Sequence, residues 1–93
     1  MKILGYQYTF KIKSKDDMNG NSGYSNFDRQ ELSVSDELKE DGKTSTLLHE
    51  IIEAVNYHLN LDLKENQIMG LEAGLFQVIN DNGVDLSPLL KEK

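Results

Sequence analysis

Residues Thr46–Glu53 read TLLHEIIE, and the pattern they begin decides the fold. At about 100° per residue, Leu48, Ile51, Ile52, Val55 and Leu59 fall into one apolar stripe. His49, Glu53 and Asn56 line one border of that stripe. The segment therefore reads as an amphipathic helix over residues 44–60, capped by one of Thr44, Ser45 or Thr46. His49 and Glu53 stand one turn apart on the same flank, and Glu50 points to the side of that pair. His58 projects about 180° from His49, which makes it a surface or half-packed residue.

A helix with one apolar stripe needs a partner layer, and the residues before it supply one. Leu4, Tyr6, Tyr8, Phe10 and Ile12 alternate with Gly5, Gln7, Thr9 and Lys11, the period-two pattern of a strand over residues 3–13 with one buried face. Residues 14–23, SKDDMNGNSG, read as a solvated loop. Asp16, Asp17 and Asn19 lack the glycine and glutamate spacing of a calcium loop. Tyr24–Phe27, a turn at Asp28–Arg29 and Gln30–Ser35 read as a hairpin with Leu32 and Val34 inward. Residues 36–43 form a charged connector in which Gly42 is a break.

After a short link at Leu61–Leu63, a second helix is expected over 63–81, with Asp62 and Glu65 as a capping pair. Its apolar stripe is Ile68, Leu71, Leu75, Val78 and Ile79, with Phe76 beside it. Ser87 and Pro88 start a last helical turn within the tail 82–93, whose end, Lys91–Lys93, is expected to fray. The expectation is one α+β domain over 1–93. A three-stranded antiparallel sheet (1–35) packs on two antiparallel helices, and Leu4, Tyr6, Tyr8 and Phe10, or their alternation partners, are buried with Leu48, Ile52, Val55, Leu71 and Leu75.

Composition narrows function. Ninety-three residues support a single modest core. A net charge of −6 disfavours nucleic acid, whose phosphates need clustered cations. Lys11, Lys13 and Lys15 share one face and read as edge protection. No run approaches the ~20 apolar residues of a membrane span, and no leader pattern is visible, so a cytoplasmic location is expected. With no cysteine, any metal must be held by histidine and carboxylates. A monomer or a weak homodimer, through a strand edge or the tyrosine-rich face, is expected.

Glu72 is the informative carboxylate. It projects about 40° from Ile68 and about 20° from Ile79, inside the stripe that must face the neighbouring helix. A carboxylate there must be paired, protonated or metal-bound. A short link makes the helices antiparallel and brings Glu72 opposite His49 and Glu53. Those three side chains and a water make an open zinc site, with Glu50 as the base that takes a proton from the water. The alternative from the same residues is a satisfied His49–Glu72 pair without metal, with Glu50 and Glu53 solvated.

His49–Glu53 is H-E-x-x-E, which resembles the zinc motif H-E-x-x-H with its second histidine replaced. The order of strand, hairpin, connector and T-L-L-H-E-I-I-x-A-V resembles small zincin-like metallopeptidases of phages and prophages, of the gluzincin and ImmA/IrrE-like kind. The likeness rests on Leu47–Glu50, Ala54 and the segment from Leu71–Glu72 to Leu75–Phe76. It implies a hydrolase acting on a peptide or protein, with His49 and Glu72 as zinc ligands and Glu50 catalytic. Glu53 stands at the family's second histidine position. Two carboxylates and one imidazole cancel a divalent charge, which weakens Lewis-acid catalysis and admits manganese as well as zinc. The rival reading is an inactive relative that binds a host or phage protein through its strand edge and acidic surface.

Overall fold

The computed structural model describes residues 1–91; Glu92 and Lys93, and with them most of the expected frayed end, lie outside the described residues. The strands are β1 (Lys2–Ile3), β2 (Tyr6–Gln7), β3 (Thr9–Lys13), β4 (Gly23–Asn26) and β5 (Glu31–Ser35), followed by the helices α1 (Glu40–Leu59) and α2 (Glu65–Asp81). Short 3-10 turns occupy Asp16–Met18 and Ser87–Leu90. The architecture is α+β, as expected. No helix among the described residues is long and apolar enough to cross a membrane.

The strand expected over residues 3–13 is three short strands. Leu4 (φ 51°) and Gly5 (φ 84°) form a two-residue turn, and β1 pairs antiparallel with β2 through Ile3 and Tyr6. Positive φ at both central positions is what such hairpins require, and glycine adopts it without strain. The turn takes Leu4 and Tyr6 out of the alternation and leaves them about half exposed, at 50% and 46%. Tyr8 and Phe10 are buried as expected.

The three-stranded sheet has the order β3-β5-β4 and is mixed, which corrects the antiparallel expectation. β4 pairs antiparallel with β5, but β3 pairs parallel with β5, from Thr9 opposite Glu31 to Lys13 opposite Ser35. The connection from 14 to 22 is too long for a tight hairpin. It carries β4 two strand positions away from β3, and β5 returns into the gap between them. As the central strand, β5 is buried from Leu32 through Ser35. The 14–23 segment also contributes Met18 to the interior, where a fully solvated loop was expected.

The helix α1 starts at Glu40, a turn before the expected Thr44–Thr46 caps. Gly42 is tolerated because the first turn is secured otherwise. Lys43 Nζ donates to the Leu38 carbonyl at 2.5 Å, and Glu40 and Asp41 lie at the positive end of the helix dipole. Leu47 and Ala54 of α1 pack with Ile3, Tyr8, Phe10, Leu32, Val34 and the C-terminal Leu90 in one core, flanked by Ile51 and Val55. At the other end, Asn60 in the left-handed region closes the helix.

The helices run antiparallel: Leu63 meets Asn56, Glu65 meets His49, and Glu72 meets both His49 and Ser45. The cap of α2 is not the expected Asp62–Glu65 pair. Gln67 Oε1 instead accepts from the Lys64 backbone N–H at 2.8 Å. Its α1-facing side is Glu65, Ile68, Glu72, Phe76 and Ile79, rotated from the stripe expected. Leu71 and Leu75 are consequently exposed, at 46% each, where burial was expected. In this rotation Ile68 is buried and both oxygens of Glu72 keep their hydrogen-bond partners.

Candidate metal centre

Ser45, His49 and Glu53 follow one another at one-turn spacing along α1, and Glu65 and Glu72 are two turns apart on α2. Antiparallel packing sets these two rows face to face with His49 between them. Its Nδ1 lies 2.8 Å from Glu72 Oε1, while its Nε2 lies 3.5 Å from Glu65 Oε1 and 3.9 Å from Glu53 Oε2. Ser45 Oγ donates to the other oxygen of Glu72 at 2.5 Å.

The electrostatics follow from this crowding. Burial opposes protonation of His49, but the hydrogen bond to Glu72 and the charges of Glu50, Glu72 and Glu65 outweigh it, so the imidazole pKa is raised. Glu50, at 7% exposure, has its carboxyl pushed up by burial; the Ser25 hydroxyl and His49 counter this in part, while Glu53 and Glu65 add to it. Ser25 Oγ donates to Glu50 Oε1 at 2.5 Å, tying the middle of α1 to β4. Gly23 lies against the same carboxylate: a Cβ there would come within 2.7 Å of Glu50 Oε2 and 2.5 Å of Thr46 Cγ2. Asn21, Ser22, Gly23, Thr46, His49, Glu50 and Glu72 line an open cleft of about 250 Å³.

The donors that come together differ in detail from those read from the sequence. The nearest ligand atoms of His49, Glu53 and Glu65 lie within 4.8 Å of one another. Zinc needs donors at about 2.0–2.2 Å, hence roughly 3.4 Å apart in a tetrahedron. One imidazole and two carboxylates, the Glu65 side chain largely exposed, are thus grouped as donors that could hold a metal ion. Glu72 also reaches His49, as expected, but at Nδ1, the nitrogen turned away from Glu53 and Glu65. Glu50 lines the cleft on the sheet side of α1, with His49 shared between the cleft and the carboxylate cluster.

Glu65 and Ser45 entered the sequence reading only as cap residues, and Ser25 not at all. The seven-residue interval between Glu65 and Glu72 was the available signal, since it places both on one flank of α2. His58 is half-packed, as read: it stacks on Tyr6 with ring centroids 4.1 Å apart and its Nε2 is 2.5 Å from the Tyr8 hydroxyl. Among the described residues, every buried side-chain nitrogen and oxygen has a hydrogen-bond partner. Comparison with protein-family models, with curated proteins and with solved structures finds no match.

Proposed function

We propose that this chain is a minimal zincin-like protein that binds a divalent cation, zinc in the first instance, and hydrolyses a peptide or protein substrate. The observation that carries the reading is the placement of His49 on α1 amid Glu53 of its own helix and two carboxylates of α2. His49 and Glu53 hold the ion together with an α2 carboxylate, Glu72 by the sequence motif or Glu65 by proximity. When bound, the cation supplies Lewis-acid activation of water and of a carbonyl.

Glu50 is the residue assigned to proton transfer. Its raised pKa favours a group that accepts a proton and passes it on. The cleft it lines with Thr46 and Gly23 is where a substrate chain enters. A negative protein of this size acts on peptide rather than nucleic acid, and the zincin likeness carries the further proposal of a phage or prophage origin and a cytoplasmic site of action.

A second reading has its own support. Glu50 is already bonded to Ser25, and His49 to Glu72, so the cluster is satisfied as a set of hydrogen bonds. On that reading the protein is an inactive relative that binds another protein. Metal analysis of untagged wild type beside Glu72→Ala, with hydrolysis of an unfolded protein by wild type and Glu50→Gln, separates the two. The hydrolase reading expects about one metal per chain and turnover that Glu50→Gln lowers by 10²-fold or more. Metal-free, inactive wild type supports the binding-protein reading.

A further inference from the structure

We propose that Glu72, braced by Ser45, is a positioning residue: it holds the proton of His49 on Nδ1 and leaves Nε2 to a cation that Glu53 and Glu65 complete. The inference rests on the metal-binding reading and assigns its parts.

Both oxygens of Glu72 are already engaged. Oε1 faces His49 Nδ1 at 2.8 Å, and Oε2 accepts from Ser45 Oγ at 2.5 Å. A carboxylate has no proton to give, so Nδ1 must be the donor in this pair. In the neutral ring that leaves the lone pair on Nε2. The two ring nitrogens diverge, and an ion on Nε2 lies away from Glu72. On the Nε2 side are Glu65, at 3.5 Å, and Glu53, at 3.9 Å. Among the described residues neither makes a hydrogen bond as short as those of Glu72, and the Glu65 side chain is 65% exposed and free to turn.

The division of labour follows from chemistry. A ligating imidazole usually donates its other N–H to a carboxylate, which fixes the ring and makes it a stronger base toward the metal. Glu72 is placed to do this, with Ser45 one turn before His49 preventing the carboxylate from rotating away. Glu72 contributes negative charge next to the ligand set without filling a coordination position.

The test uses the untagged full chain, freed of metal and labelled with 15N, with zinc as the titrant. Long-range 15N spectra of the metal-free wild type, recorded at alkaline pH where the ring is neutral, are expected to show His49 protonated on Nδ1 with Nε2 bare. Glu72→Ala should lose that preference and weaken zinc binding by about 10–100-fold while keeping one ion per chain. Glu72→Gln, whose amide oxygen still accepts from Nδ1–H, should recover part of the loss. Glu65→Ala should keep the tautomer and lose more affinity than Glu72→Ala. Ser45→Ala, which leaves the carboxylate in place, should shift the tautomer in the same direction by less, and serves if Glu72→Ala does not fold.

The inference is overturned if Glu72→Ala abolishes zinc binding while Glu65→Ala binds like wild type, or if the His49 tautomer ignores Glu72. Either result leaves the metal reading standing. A wild type that takes up no zinc overturns the metal reading itself, and the assignment of Glu65 with it.

Discussion

His49 Nδ1 and Glu72 Oε1 lie 2.8 Å apart across the interface between α1 and α2, at the midpoint of both helices. This bond accompanies a rotation of α2 in which Ile68 and Ile79 meet α1 while Leu71 and Leu75 face solvent. That orientation has a direct consequence for which leucines matter.

Leu32 is fully buried in the central strand, and Leu32→Ala should cost about 2–5 kcal/mol of stability. Leu71→Ala, at an exposed position, should change stability by no more than about 0.5 kcal/mol. Urea unfolding of the two variants checks the rotation of α2. A Leu71→Ala loss as large as that of Leu32→Ala would contradict it.

The helices and their relative direction were legible because a 3.6-residue period over 15 or so positions leaves few alternatives. Glu72 was legible as an inward residue because its angle fell between Ile68 and Ile79. Strand partners were not legible. Alternation puts Phe10 and Ile12 on the buried face of a strand, but it does not say whether Leu32 and Val34 run parallel or antiparallel beside them. Leu4–Gly5 was hidden by the same alternation, since Leu4 fits the apolar row and Gly5 the polar one. Gly42 misplaced the start of α1 because a helix-weakening residue was weighed without the Lys43 and Asp41 contacts that offset it.

Gly23 is the position where a single methyl group should be felt. Its Cβ would meet Thr46 Cγ2 at 2.5 Å and Glu50 Oε2 at 2.7 Å, so Gly23→Ala should cost about 1–3 kcal/mol by forcing β4 away from α1. Gly70→Ala is the contrast. Nothing lies within 4 Å of its added carbon, and the helix should gain roughly 0.5–1 kcal/mol. Thermal unfolding of both variants should show shifts of opposite sign.

Tyr8 gives a pH dependence that does not involve the carboxylate cluster. Burial, with Tyr57 and Tyr6 nearby, raises its phenol above the ordinary 10.0. Above about pH 10 the folded chain therefore keeps a proton that the unfolded chain loses, and stability falls as pH rises through the raised value. Tyr8→Phe removes the hydrogen bond to His58 and should cost about 1 kcal/mol at neutral pH. That difference should shrink when unfolding is compared at pH 8 and above pH 10. A constant difference would mean that Tyr8 titrates alike in both states.

The central claim is a cation on His49 Nε2 that Glu53 and Glu65 complete, with Glu72 holding Nδ1. Anomalous diffraction at the zinc edge, from crystals of untagged protein equilibrated with zinc, locates the ion directly. The account predicts one peak about 2.0–2.2 Å from His49 Nε2 and from a carboxylate oxygen of each of Glu53 and Glu65, with Glu72 still on Nδ1. A peak bonded to Glu72, or no peak at His49 in crystals that hold zinc elsewhere, would contradict it.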